Sequence, residues 1–149
     1  MKRFTEAGDT IVEVLISIAI VSLILGGAFV TTRNSQIGVR DSQEHAEALK
    51  LIESQIEDLR ADASGDGKVK TAATPFCMYN EKPVPATIQP ASADCTQDSS
   101  GQPTTDEPAY SLTINRSNSN GGYLFTVQAQ WDSVTGKGRA QESMVYRLY

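Results

Sequence analysis

The run Gly8-Asp9-Thr10-Ile11-Val12-Glu13 opens an apolar stretch that continues to residue 30 and decides how the 149-residue chain folds. Twenty helical residues at 1.5 Å each extend about 30 Å, which is the thickness of the hydrocarbon core of a bilayer. A helix at the surface of a soluble protein carries a polar face at the helical period, and residues 11–30 carry none. The stretch therefore predicts a helix that spans a membrane once.

The charged residues in and before the span set two further expectations. Glu13 is the one charged side chain of the span, and a lone carboxylate near the start of a membrane helix is costly, so we expect it to have a partner. Lys2 and Arg3 precede the span, which favours an N-terminus on the cytoplasmic side. Two alternatives stay open: a secretory signal cleaved after Ala28, and an uncleaved single-pass anchor with no further role.

Residues 1–7, Met-Lys-Arg-Phe-Thr-Glu-Ala, form a short basic leader, and Gly8-Asp9-Thr10-Ile11-Val12-Glu13-Val14-Leu15 follows it into the apolar helix. This N-terminus resembles that of type IV prepilins and pseudopilins, which have a glycine and then a variant of Phe-Thr-Leu-x-Glu. The resemblance implies that prepilin peptidase removes residues 1–8 by cutting after Gly8. It implies that Asp9, where most members have Phe or Met, becomes the modified N-terminus. It also implies that Glu13, the fifth mature residue, serves assembly by facing the amino terminus of a neighbouring subunit.

The helical pattern continues beyond the span, over residues 31–62. Apolar residues recur there at helical spacing, and charged residues fill the opposite face. The predicted stripe is Ile37, Ala46, Leu49, Ile52, Ile56 and Leu59, and the predicted solvated face is Glu44, Glu47, Lys50, Glu53, Glu57 and Asp58. We therefore expect one helix from Thr10 to about Asp62. Residues 9–30 would be covered by lipid or other helices and the stripe by a small domain, in the lollipop shape of a pilin subunit.

Gly26 and Gly27 interrupt the apolar half of this helix, where each costs about 1 kcal/mol relative to alanine. One interpretation is close contact between helices through small residues. The other is a weak point that unwinds when the subunit leaves the membrane for a fibre. The resemblance to pilins, whose helices often unwind near this depth, favours the second.

Residues 63–108 form an irregular region rich in Pro and Ser. Cys77 and Cys95 lie within it, and in an oxidising compartment they predict one disulfide, with two free thiols as the alternative. We expect short strands at Phe76–Tyr79 and residues 87–89, and an exposed, acidic, mobile loop over residues 96–107. Residues 62–67, Asp-Ala-Ser-Gly-Asp-Gly, match half of a calcium loop but lack its twelfth ligand, so they predict a turn that ends the helix.

Residues 109–149 alternate apolar and polar side chains in three segments separated by turns. The inward sets are Tyr110, Leu112 and Ile114; then Tyr123, Phe125, Val127, Ala129 and Trp131; then Met144, Tyr146 and Leu148 in a strand that begins at Glu142. Three strands joined in order predict an antiparallel meander with one face free to cover the helix stripe. The predicted fold class is α+β, a long helix on a small antiparallel sheet.

Composition and motifs argue against several kinds of function. The net charge of −5 gives no basic footprint for nucleic acid. His45 is the one histidine, and beside acidic helix residues it is expected to be a solvated surface residue. No catalytic triad, Cys-His pair or metal-ligand spacing occurs in the sequence, so we expect no enzyme activity, no cofactor and no metal.

The resemblance implies a structural subunit of a type IV pilus or related filament, and the Pro/Ser-rich middle suits a specialised minor pilin. The implied partners are other pilin subunits, prepilin peptidase, the inner-membrane pilus assembly machinery and, before assembly, the cytoplasmic membrane. The subunit would then move into an extracellular filament. Two alternatives remain: a pseudopilin of a type II secretion system, in a periplasmic pseudopilus, and a single-pass anchored binding or adhesion protein whose acidic loop meets an outside partner.

Overall fold

The computed structural model describes residues 9–86, 95–106, 108–119, 121–134, 136 and 138–149. Within these ranges it has one long helix, a 3₁₀ turn at Lys68–Lys70 and six strands. Their bounds are α1 Asp9–Ser64, β1 Phe76–Tyr79, β2 Lys82–Pro85, β3 Thr96–Gln97, β4 Tyr110–Ser119, β5 Gly122–Asp132 and β6 Arg139–Leu148. The predicted α+β class is confirmed, because one long N-terminal helix packs on an antiparallel sheet.

The chain divides into two units, Met1–Val39 and Arg40–Tyr149. The first contains the apolar part of α1, and the second contains the rest of α1 with the whole sheet. The core of the second unit lies between α1 and the inward face of the sheet. Its largest fully buried side chains include Tyr110, Phe76, Phe125, Ile52 and Leu59.

The meander predicted from alternation is present as β4, β5 and β6. Strand β5 pairs antiparallel with β4 from Ser111↔Gln130 to Ser119↔Gly122, and with β6 from Tyr123↔Leu148 to Asp132↔Arg139. Tyr110, Leu112 and Ile114 are fully buried, as their alternation predicts. Strand β6 begins at Arg139, before the predicted Glu142, because Ser133 N–H donates to the Gly138 carbonyl and closes the hairpin directly before it.

The other half of the sheet comes from the Pro/Ser-rich region. The predicted strand Phe76–Tyr79 is β1, and its partner β2 is a four-residue edge strand that contains Pro83 and Pro85. The strand order is β2-β1-β4-β5-β6, with β3 also paired to β4. The strand predicted at residues 87–89 lies outside the described residues.

The prediction of an exposed loop over residues 96–107 is wrong for Thr96 and Gln97, which form β3, whereas Ser100, Gln102, Thr105 and Asp106 are exposed as predicted. Gln97 is buried and pairs with Tyr110 in the sheet, and it bridges to Pro103. The Asp98 carboxylate accepts hydrogen bonds from the Ser100 hydroxyl and from backbone N–H groups, and these bonds hold the pKa of Asp98 below its usual value. An acidic side chain therefore closes a turn that composition alone indicated to be a loose loop.

The helix stripe exists, but its phase differs from the prediction. Leu49 is 38% exposed and Ala46 is also exposed, whereas Glu44 and Gln55 face the sheet. The buried positions of α1 are Glu44, Ala48, Leu51, Ile52, Gln55, Ile56, Leu59 and Asp62. The prediction failed because three polar residues occupy the buried face, and an apolar pattern alone assigns such residues to the surface.

Gln55 shows why a polar side chain belongs on that face. Strand β1 meets β4 only at Phe76↔Ile114, so the backbone of Met78 has no partner on the side of β4. The Gln55 amide supplies both missing bonds: its nitrogen donates to the Met78 carbonyl at 2.9 Å, and its oxygen accepts from Met78 N–H at 2.7 Å. Gln55 thereby acts as a substitute for the next strand and joins α1 to β1.

We expect Gln55→Leu to destabilise the protein by about 2–4 kcal/mol, because it leaves a buried donor and a buried acceptor unpaired. Gln43→Leu, an exposed glutamine on the same helix, is the matched control and should change stability by no more than about 0.5 kcal/mol. Urea unfolding of the full chain in detergent micelles, followed by fluorescence of the buried Trp131, measures both. Equal stability of the two variants would contradict the role of Gln55.

Candidate functional site

The first candidate site is the apolar surface of α1 over residues 11–30, where every side chain is exposed. Its large apolar side chains are 53% to 77% exposed, on all sides of the helix. Covering a side chain of this kind is worth about 1.5–3 kcal/mol. By length and composition α1 is able to cross a membrane, which is consistent with single-pass anchoring.

Glu13 lies at the start of this surface, and its side chain is exposed among apolar neighbours. The Ser17 hydroxyl donates to the Glu13 backbone carbonyl at 2.8 Å, a bond that satisfies the serine and does not involve the Glu13 carboxylate. Among the described residues, no ion pair involves Glu13. Any cationic partner in an apolar setting would therefore have to come from the undescribed N-terminal residues or from another molecule.

The predicted cleavage site is only partly within the described residues. Gly8 lies outside them, and Asp9 is the first residue of α1. The structure therefore places the predicted new N-terminus one helical turn before Glu13, since the two positions are four residues apart.

The helix is continuous through Gly26 and Gly27. Apart from the adjoining backbone of α1, a Cβ added at either position would meet no atom within 4 Å, so no other segment of the described chain requires a glycine there. Thr31 and Thr32 follow, and their hydroxyls donate to the carbonyls of Gly27 and Ala28 at 3.0 and 2.9 Å. The proposed weak point stays a prediction about the assembled state.

A second candidate is the polar cluster where α1 meets the sheet. It consists of Glu44, His45, Glu47, Tyr110, Trp131 and Glu142. The indole N–H of Trp131 donates to Glu44 at 3.0 Å, and the Tyr110 hydroxyl donates to Glu47 at 2.7 Å. Because each bond joins α1 to a strand, the polar cluster fixes the position of the helix on the sheet.

His45 is half-buried, with its side chain 38% exposed, and it has partners that the predicted solvated surface residue would lack. Its Nδ1 lies 2.8 Å from Oε1 of Glu142, and its ring meets the Trp131 ring edge-on at a centroid distance of 5.0 Å. Glu44, expected on the solvated face, is buried beneath Trp131. Sequence reasoning missed these contacts because Trp131 is 87 residues away from Glu44, and no local pattern links them.

The predicted disulfide joins Cys77 in β1 to Cys95, with the two Cα atoms 5.7 Å apart and both side chains fully buried. The alternative of two free thiols is therefore wrong. The bond holds Cys95, which directly precedes β3, to strand β1.

Residues 62–67 form the predicted turn at the end of α1. Gly67 has φ +65°, and its N–H donates to the Asp62 carbonyl at 2.8 Å. The Asp62 carboxylate accepts from Val69 N–H at 2.9 Å, and Asp66 pairs with Lys68 at 2.6 Å. The carboxylates that a calcium loop would use thus serve the turn itself.

No family model, no curated protein and no solved structure matches this chain. The functional argument therefore depends on the residues and contacts described above.

Tyr110 makes the polar cluster sensitive to alkaline pH. Burial, and then the hydrogen bond and charge of Glu47, raise the pKa of the Tyr110 hydroxyl. An unfolded tyrosine ionises near pH 10, so above about pH 10 the unfolded chain loses a proton that the folded chain keeps, and stability falls. We expect Tyr110→Phe to lower stability at neutral pH but to flatten this alkaline decline.

Urea unfolding from about pH 8 to about pH 11 measures the effect around the reference pKa of tyrosine. Tyr149→Phe is the control, since Tyr149 is 89% exposed, and it should leave the pH dependence of the wild type unchanged. If the free energy of unfolding of Tyr110→Phe fell with pH as steeply as that of Tyr149→Phe, Tyr110 would not be the cause of the alkaline loss of stability.

Proposed function

We propose that this chain is a structural subunit of a type IV pilus or related filament, in the role of a specialised minor pilin. One observation carries the proposal: an apolar helix surface exposed on all sides contains a single carboxylate, five residues after Gly8. The unit Arg40–Tyr149 has its own core, so it can stay folded while the apolar surface exchanges one apolar environment for another.

Assembly would proceed by replacement of lipid with neighbouring helices. Before assembly, residues 11–30 lie in the cytoplasmic membrane with the N-terminus inside and the unit Arg40–Tyr149 outside. Packing against the same segment of other subunits removes lipid contacts without exposing the helix to water. The pilus assembly machinery of the inner membrane would drive this transfer into the extracellular filament.

Glu13 would select the correct axial position of each new subunit. Prepilin peptidase cuts after Gly8 and creates a positive amine at Asp9. In the apolar bundle Glu13 meets this amine of a neighbour, and a helix inserted at another height leaves both charges buried and unpaired. Breaking a buried ion pair in this way costs roughly 3–5 kcal/mol, which is enough to reject a misplaced subunit.

Mass spectrometry of the native protein tests the processing step. We expect an N-terminus at Asp9, with or without a methyl group. An intact Met1 would support the anchored binding protein instead, and an N-terminus at Phe29 would support a secretory signal; either result would overturn the proposal. Electron microscopy of the cells separates a surface pilus from a short periplasmic pseudopilus.

Glu13→Ala tests the assembly step. We expect the variant to reach the membrane fraction at wild-type level and its amount in sheared filaments to fall at least about tenfold, since the loss of a paired charge exceeds 1.4 kcal/mol. Glu53→Ala, which removes an exposed glutamate elsewhere on α1, is the control and should assemble normally. Normal incorporation of Glu13→Ala would remove the proposed role.

A further inference from the structure

The two edges of the sheet differ in whether another strand can add to them. The strand order places β2 at one edge and β6 at the other. An open edge carries backbone N–H and C=O groups that can pair with an additional strand, and proteins usually protect such edges with proline, lysine, bulges or short length.

The edge at β2 is closed to pairing because it lacks donors. Ala86 N–H donates to the Pro75 carbonyl, so the even-numbered residues of β2 point their N–H groups at β1. The odd-numbered residues point outward, and both of them, Pro83 and Pro85, are prolines without an N–H. An incoming strand would find no donor along Lys82–Pro85.

The edge at β6 has the opposite character. Ser133 N–H donates to the Gly138 carbonyl, so the even-numbered residues of β6 face β5 and the odd-numbered residues face outward. The N–H and C=O groups of Gln141, Ser143 and Val145 therefore point to a side where the described part of the chain places no strand.

Strand β6 also lacks the usual protection. It pairs with β5 without a bulge over ten residues, Arg139–Leu148, and it contains no proline or lysine. Its one acidic residue, Glu142, faces the helix, where His45 binds it. Among the odd-numbered residues of β6, whose side chains are exposed, the charged ones are Arg139 and Arg147 near the two ends of the strand. Gln141, Ser143 and Val145 between them are uncharged.

We propose that the edge of β6 binds an extended segment of a different protein, which adds to the sheet as a further strand. The segment that fits is uncharged opposite Gln141, Ser143 and Val145, with alternating small or β-branched side chains. Acidic residues at its ends would add to the ion pair that Arg139 already forms with Asp132 at 3.5 Å, and would lie near Arg147, in a chain of net charge −5.

Two forms of self-association fit the structure poorly. Pairing of β6 with β2 of a second copy fails because β2 has no outward donors. Pairing of β6 with β6 requires a two-fold axis normal to the sheet, which reverses the direction of the α1 segment that lies on it. That exclusion rests on the proposed function, in which the Arg40 end of each Arg40–Tyr149 unit faces the same membrane.

The test uses the full chain in detergent micelles and a synthetic peptide, acetyl-Glu-Thr-Val-Thr-Val-Thr-Glu-amide. The matched control peptide is N-methylated at its five central residues, which removes the backbone donors and keeps the side chains and charge. We expect the first peptide to slow amide exchange at Gln141, Ser143 and Val145, and the second to have no effect.

Two substitutions at one position test the same edge from the protein side. Ser143→Pro removes an outward N–H and no bond to β5, so it should weaken peptide binding at least about tenfold. Ser143→Val keeps the donor and should bind within about twofold of wild type, a change of about 0.4 kcal/mol or less. If Ser143→Pro does not fold, the comparison of the two peptides on the wild-type chain still decides the question.

Absence of protection by the first peptide, or equal binding of both peptides, would overturn the proposal. Self-association of the full chain that Ser143→Pro abolishes would identify a second copy as the occupant and overturn the choice of a different protein. Neither measurement depends on processing at Asp9 or on Glu13, so a failure here is distinct from a failure of the proposed filament role.

Discussion

The dominant physical constraint on this protein is that one continuous helix carries two kinds of surface. Over residues 11–30 the side chains of α1 are apolar on every side and the described chain covers none of them. Over residues 44–62 only one face is buried, against the sheet. Exposed apolar area of the first kind is unfavourable in water, and by length and composition this part of α1 is a candidate membrane span.

Polar contacts decide how the second part of the helix lies on the sheet. Glu44, Gln55 and Asp62 occupy its buried face, and each is bonded to an indole or backbone group of another segment. Apolar side chains would tolerate a small rotation of the helix, but an unpaired buried amide or carboxylate would not. Glu44 and Gln55, which bond to strands, therefore fix the orientation of the helix on the sheet, and Asp62 fixes the turn that follows the helix.

Local patterns were enough to predict the parts of the fold whose cause is local. The apolar run, the alternation through Tyr110–Ser119 and Gly122–Asp132, and the helix-ending turn all agree with the structure. The phase of the helix stripe, the position of His45 and the pairing of Gln97 depend on partners distant in sequence, so no periodicity indicates them. The same distinction applies to the candidate site. The position of Glu13 in the apolar run can be read from the sequence, whereas a binding partner of Glu13 cannot.

The hydroxyls of Ser17, Thr31 and Thr32 are each bonded to a carbonyl of their own helix. Each hydroxyl is therefore satisfied within the helix and needs no water. With Thr31 and Thr32 included, the candidate membrane span covers residues 11–32, about 33 Å at 1.5 Å per residue. In a membrane, a candidate span of this length would fit bilayers of slightly different thickness by tilting, at little cost.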